Sequence, residues 1–268
     1  MEPIYRAVIR FSRMIFAIQG LKFTIRGAEN VPQTGGAVMA INHLSFMDFA
    51  YAGLAAKPSK RLVRFMAKEE IFQHPVSGPL MRAMRHIPVD RGAGVGSYRA
   101  AVKALKSGEV VGVFPEATLS RAFEIKDLKS GTIRMAMSAG VPVLPTIIWG
   151  AQRVWTKDHP KRLGRSHIPI FLSVGEPMVF ARGDDADAAT EQLRSRLTAM
   201  LHEAQAAYPE LKGDDLKFLP ARLGGTAPTL ERAAEMETEE IIRRTERRAA
   251  KAAKTAKTAK TASKGGSS

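Results

Sequence analysis

The sequence predicts a single α/β domain with a mostly parallel or mixed sheet flanked by helices, an N-terminal amphipathic helix before it and a disordered basic C-terminal tail after it. Three observations lead there. Short apolar, β-branched runs alternate with helical patterns from Gly35 to Ala207, the signature of strand–helix–strand units. The 268 residues are 45% hydrophobic and 7% aromatic, enough for one sizeable core. Residues 251–268 carry lysines at 251, 254, 257, 260 and 264, no apolar side chain larger than alanine and a Gly/Ser end, so they lack the surface to fold alone.

The elements follow in order. Residues 4–18 read as an amphipathic helix with Ile4, Val8, Phe11, Ile15 and Ile18 on one face and Arg6, Arg10 and Arg13 on the other. Those arginines interrupt an apolar stretch far shorter than the roughly 20 residues that span a bilayer. No cleavage-site pattern follows it. Such a face suits either packing on the domain or lying in an anionic membrane interface. Ala37–Ile41 reads as a buried strand entered through Gly35-Gly36, and Phe46–Ala56 as a helix. Arg61–Lys68 is a second strand, and Glu69–Arg85 is helical but broken at His74-Pro75 and Gly78-Pro79. His86–Asp90 is a brief strand, Gly92–Gly96 a tight turn and Ser97–Lys106 a helix. Gly108–Phe114 is strongly β-like, Gly131–Ala139 helical, and Pro142–Trp149 and Ile168–Val174 are strands. Asp184–Ala207 is an amphipathic helix with Leu193, Leu197, Met200 and Leu201 inward. From Pro209 the pattern weakens into loop signals, and Leu230–Ala250 reads as a last helix. The expected organisation is therefore a helix over 1–20, a domain over 21–208, a loop and helix over 209–250 and a tail over 251–268.

Charge and cysteine content narrow the function classes. Lys+Arg total 41 against 26 Asp+Glu, a net charge of +15 that favours anionic partners. From Arg243 onward there are nine basic residues and one acid, so +8 of that charge lies in the last 26 residues. There is no cysteine, which excludes a disulfide framework and a thiolate nucleophile. His74, His86, His159, His167 and His202 show no metal-ligand spacing and read as surface or loop residues. No metal site and no cofactor are expected.

The polar cluster Asn42-His43-Leu44-Ser45-Phe46-Met47-Asp48 stands where the first buried strand ends, the usual place for chemistry in α/β sheets. His43 can take a proton near neutral pH, and Asp48 can hold its imidazole in one tautomer. Five steps along a helix turn the chain by roughly 140°. The two side chains therefore meet only if His43 sits on the turn and Asp48 in the first helical turn. Ser45-Phe46-Met47-Asp48 equally fits a capping box, and the motif by itself leaves both readings open.

Three further stretches occupy later strand boundaries: His86-Ile87-Pro88-Val89-Asp90-Arg91, Phe114-Pro115-Glu116-Ala117-Thr118-Leu119-Ser120-Arg121 and Val141-Pro142-Val143-Leu144-Pro145-Thr146. In this order the four resemble the motifs of the glycerolipid acyltransferase family. Asn42, His43 and Asp48 match its first motif, and Arg91 the arginine closing its second. Phe114, Pro115, Glu116, Thr118 and Ser120 match its third, and Val141, Pro142 and Pro145 its fourth. The resemblance covers about residues 25–180.

That resemblance implies direct acyl transfer from acyl-CoA or acyl carrier protein to the free hydroxyl of 1-acylglycerol-3-phosphate, a lyso-phospholipid acceptor. His43 is implied as general base and Asp48 as its orienting partner, with Arg91, Glu116, Thr118 and Arg121 on the acceptor head group. Ala117 stands where the family has glycine, and Leu119 where it has an arginine that helps hold the acceptor's phosphate. Arg121, or Lys126 and Lys129, can supply the missing cation, since a phosphate needs cationic donors rather than one address. The expected location is the cytoplasmic face of the membrane, held peripherally by the first helix and the lysine tail. The competing classes are acylation of another lipid acceptor, a non-catalytic lipid-binding protein, and a nucleic-acid binder using the tail; no helix-turn-helix, zinc or aromatic RNA-binding signature supports the last.

Overall fold

The computed structural model describes residues 2–90 and 94–246. Seven strands form one sheet in the order β1-β7-β6-β2-β5-β3-β4. They are β1 (Lys22–Arg26), β2 (Ala37–Ile41), β3 (Val63–Lys68), β4 (Ile87–Val89), β5 (Val110–Val113), β6 (Val143–Trp149) and β7 (Pro169–Val174). Every pairing is parallel except β6 with β7, so β6, β2, β5, β3 and β4 run one way and β7 and β1 the other. The sheet is thus mixed.

β2 is central and wholly buried, and its period of two feeds both faces. Val38 and Ala40 join a core with α5 (Gly94–Lys106), α6 (Gly131–Ala139) and α7 (Ala186–Ala206). Ala37, Met39 and Ile41 join a second core with α1 (Pro3–Ile18) and α2 (Asp48–Ala55). Gly36 admits the chain to this strand: a Cβ there would stand 2.2 Å from the Leu105 carbonyl oxygen. The broken helix after β3 is two short pieces, α3 (Glu69–Gln73) and α4 (Ser77–Ala83), parted at His74-Pro75. Gly78-Pro79 makes no second break, because Pro79 falls in the first turn of α4, where its missing N–H costs nothing.

Several elements differ from the sequence reading. β1 carries no buried residue and was not legible; it becomes a strand by pairing with β7 at the sheet edge. Gly94 and Gly96 lie inside the first turn of α5 rather than in a turn before it, where free N–H groups tolerate glycine. His86 is buried rather than on the surface. Its Nδ1 accepts a hydrogen bond from the Phe65 N–H at 3.0 Å, and burial lowers its pKa to about 4.

The first helix packs on the domain and still leaves an apolar face open. Tyr5 and Phe16 are buried, the Tyr5 hydroxyl donating to the Val63 carbonyl at 2.6 Å and Phe16 meeting Tyr51 edge-on. Glu2 closes the N-terminal end by accepting from Arg64 Nη1 and Nη2 at 2.7 and 2.8 Å. Ile4, Phe11, Met14 and Ile18 remain exposed. Among the described residues no helix is long and apolar enough to cross a membrane. Residues 230–246 form a last helix, α8, which buries only Ala233 fully. The lysine tail over 251–268 lies outside the described residues.

Candidate active site

The carboxyl ends of β2, β5, β3, β4 and β6 share one edge of the sheet, and the turns leaving β2 and β5 build the site there. Asn42, fully buried, fixes the end of β2 to β6. Its amide nitrogen donates to the Ile148 carbonyl at 3.1 Å, and its oxygen accepts from the Ile148 N–H at 2.7 Å. The next residue is His43, whose ring stacks on Phe114 at a centroid distance of 4.2 Å.

Asp48 faces that ring. Its Oδ2 lies 3.0 Å from His43 Nδ1 and accepts from the N–H groups of Leu44 and Ser45, each at 2.7 Å. Asp48 is 0% exposed, whereas the His43 side chain keeps 21% exposure. With a proton on Nδ1 directed at Asp48, Nε2 is left to accept one. Burial pushes the Asp48 carboxyl above the ordinary range, opposed by His43 and the two N–H groups. The capping box offered by the sequence does not form, because the helix is capped at Met47 and Ser45 stands two residues ahead of it. Asp48 still takes the Ser45 N–H, and the Ser45 hydroxyl accepts from Met47 N–H at 3.1 Å within the turn. The helix begins at Asp48, so one carboxylate ties both the turn and the imidazole.

Glu116, at the end of β5, braces the same turn from the other side. It is 4% exposed, one oxygen accepting from the His43 N–H at 2.8 Å and the other from the Lys126 N–H at 3.2 Å. Burial raises its pKa to about 7 against the pull of those bonds and of the Lys126 charge. Both of its oxygens thus engage backbone, and the residue positions His43 and the loop carrying Lys126.

The loop after Glu116 turns sharply. Thr118 N–H bonds back to the Glu116 carbonyl at 2.8 Å across Ala117, whose φ is +61°. A left-handed residue inside so tight a turn stores strain that glycine would not, which accounts physically for a glycine preference at this position. Leu119, at 5% exposure, turns inward and leaves no cation at that place. Ser120 N–H then donates to the His43 carbonyl at 2.8 Å, binding this loop to the turn that carries His43.

Arg121, Lys126 and Lys157 gather at the far end of the loop with the Thr118 hydroxyl. Arg121 Nε bonds Asp158 at 2.5 Å and its Nη2 bonds Glu240 at 2.8 Å. Lys126 Nζ donates to the Thr118 hydroxyl and to Glu237 at 2.9 Å, while the Thr118 hydroxyl donates to the other Glu237 oxygen. Lys157 Nζ bonds Glu240 at 2.9 Å. The segment carrying Lys157 and Asp158 is tied to the turn that carries His43, since the Thr156 hydroxyl donates to the Leu44 carbonyl at 2.7 Å and the Ser45 hydroxyl to the Trp155 carbonyl at 2.7 Å.

Of the residues singled out from sequence, His43, Asp48 and Glu116 meet directly, and Thr118 and Arg121 adjoin them on one loop. Arg91 lies outside the described residues. Sequence reasoning missed Lys157, Asp158, Glu237 and Glu240. The available signal was the acidic run Glu235, Glu237, Glu239 and Glu240, placed just before the basic chain end. Among the described residues no cluster of His, Asp and Glu has the makings of a metal site.

Comparison with known proteins gives concordant results. Residues 22–149 match the family model described as Acyltransferase. The 1-acyl-sn-glycerol-3-phosphate acyltransferase of Bacillus subtilis (strain 168) is 28% identical over 213 residues, covering 78% of this chain and 97% of that one. The protein of the same name from Borreliella burgdorferi is 29% identical over 204 residues and covers 74% of each chain. The crystal structure of the 1-acyl-sn-glycerophosphate (LPA) acyltransferase PlsC from Thermotoga maritima shares the fold, with a TM-score of 0.62 at 24% identity over 76% of this chain and 81% of that one.

Proposed function

We propose that this chain, whose residues 22–149 match the Acyltransferase family model, moves a fatty acyl group from a thioester, acyl-CoA or acyl carrier protein, to the free hydroxyl of 1-acylglycerol-3-phosphate, making phosphatidic acid for phospholipid synthesis. The observation that carries the reading is the His43–Asp48 pair at the end of the central strand, with a cluster of three cations on two segments bonded to the same turn, Arg121 and Lys126 on one and Lys157 on the other.

His43 Nε2 takes the proton of the acceptor hydroxyl as its oxygen attacks the thioester carbonyl. The buried Asp48 carboxylate holds the ring and stabilises the imidazolium formed. Collapse of the tetrahedral intermediate expels the thiolate, which recovers the proton from His43. The chain has no cysteine and no Gly-x-Ser-x-Gly elbow, so no acyl-enzyme is invoked.

The phosphate-bearing acceptor is supported by Arg121, Lys126 and Lys157, a cation cluster fit to take over the role of the arginine that Leu119 does not provide. Two charge-assisted bonds from them would favour a phosphorylated acceptor by about 10²-fold or more. The test compares kcat/KM for 1-acylglycerol-3-phosphate and for monoacylglycerol of the same chain length. A preference of that order is expected; equal values would refute a phosphate acceptor.

We further propose a peripheral position at the cytoplasmic membrane surface. The open face of α1, with Phe11 and Ile18 at 60% and 63% exposure, suits insertion among acyl chains, and the arginines flanking it suit head groups. Each basic residue of the tail adds about 1 kcal/mol near an anionic surface. Phe11→Ser/Ile18→Ser is a cleaner probe than deletion because it spares the buried Tyr5 and Phe16. The double variant should lose most binding to phosphatidylglycerol-containing vesicles in co-sedimentation. Undiminished binding would remove α1 as the anchor.

A further inference from the structure

The cation cluster beside the catalytic turn is occupied from outside. Apart from Asp158, every carboxylate that pairs with Arg121, Lys126 and Lys157 among the described residues comes from α8. Glu237 and Glu240 stand three residues apart on one face of that helix, so their side chains reach the cluster together. Glu237 takes the Thr118 hydroxyl and Lys126; Glu240 takes Arg121 and Lys157. The arrangement offers a hydroxyl, a guanidinium and two ammonium groups to anionic oxygens, the donor set that a phosphomonoester would use.

The grip of α8 on the domain is electrostatic. Within 230–246 only Ala233 is buried, Met236 is half-buried, and Leu230, Ile241 and Ile242 are exposed. A helix with so little apolar burial is drawn from the low-stability end of a structure. Its ion pairs are partly exposed, which makes them weak and open to competition by another anion. The nine basic residues from Arg243 onward follow directly on these two acids, so an anionic surface that attracts the chain end pulls against the clamp.

We propose that α8 is an autoinhibitory strap whose Glu237 and Glu240 carboxylates compete with the acceptor's phosphate for Thr118, Arg121, Lys126 and Lys157, so that a phosphorylated lysolipid binds only as the strap lifts. The inference rests on the reading of the acceptor as phosphate-bearing. The strap reduces apparent acceptor affinity by the fraction of molecules in which it is open.

The test uses the full chain and two readouts. In steady-state acylation of 1-acylglycerol-3-phosphate, Glu237→Gln/Glu240→Gln should lower the acceptor KM about 3–10-fold with little change in kcat, the amount set by how often the strap is closed. The melting temperature checks that the variant is folded. An unchanged or higher KM in a folded variant would overturn the strap. The second readout needs no turnover and so separates failure of the strap from failure of the acceptor assignment. Amide hydrogen exchange over 230–246 is followed in the native chain with a short-chain 1-acylglycerol-3-phosphate below its micelle concentration, with inorganic phosphate, and with the matching monoacylglycerol. Exchange should rise several-fold with the phosphorylated lipid and stay at baseline with the neutral one. Unchanged or slower exchange with the phosphorylated lipid would overturn the strap even if that lipid is acylated. Equal release by inorganic phosphate at the same concentration would overturn the assignment to a lipid head group.

Discussion

His43→Ala is expected to lower kcat by about 10²–10⁴-fold, the usual worth of a general base, with the acceptor KM little changed. The geometry explains why the loss should fall on the chemical step. The His43 side chain touches Asp48 and stacks on Phe114, while the bonds that shape the turn go to its backbone: its N–H to Glu116, its carbonyl from Ser120. Alanine keeps both backbone bonds. Asp48 also retains the N–H groups of Leu44 and Ser45. The variant should therefore unfold near the native temperature, and steady-state kinetics beside a thermal melt would verify both halves. Native-like turnover in the folded variant would exclude His43 as the base.

Asp48→Asn and Asp48→Ala should separate the two duties of that residue. One oxygen of Asp48 receives three donors, and an asparagine oxygen held by Leu44 and Ser45 N–H can receive the same three. The amide lacks the negative charge that stabilises the imidazolium. A charge-assisted bond exceeds a neutral one by about 1–2 kcal/mol, so kcat should fall about 5–30-fold in a stably folded protein. Alanine removes the acceptor altogether and leaves two buried N–H groups unbonded, adding an expected stability loss of about 2–4 kcal/mol. Denaturant unfolding and kcat, measured on both variants, resolve the pair. Equal kcat in native and Asp48→Asn proteins would reduce Asp48 to a residue that only ties the turn through the Leu44 and Ser45 N–H groups.

Much of this architecture is legible locally because burial writes a period into the chain. Val38-Met39-Ala40-Ile41 and Val110-Val111 are continuous apolar runs since both faces of the sheet are covered, and α7 shows its stripe at Leu193, Leu197 and Leu201. β1 left no such trace. It lies at the sheet edge with only Phe23 half-buried, so its pairing with β7 rather than its own pattern defines it. At the site, the spacing of Asn42, His43 and Asp48 required a turn followed by a helix start, and α2 begins at Asp48. What no local window could reveal is partnership across the chain. Glu237 meets Thr118 over a separation of 119 residues, and Asn42 meets Ile148 over 106. Glu116 illustrates the same limit: its carboxylate was read from sequence as facing the acceptor, while the structure places both oxygens on backbone N–H groups.

The most direct test of the central claim is mass spectrometry of the lipids formed when the purified protein meets isotope-labelled acyl-CoA and 1-acylglycerol-3-phosphate, with His43→Ala run in parallel. The native protein should yield phosphatidic acid carrying the labelled acyl chain, and the folded variant should yield almost none. Labelled product in equal amounts from both proteins, or its absence from the native protein with CoA and carrier-protein donors alike, would contradict the account.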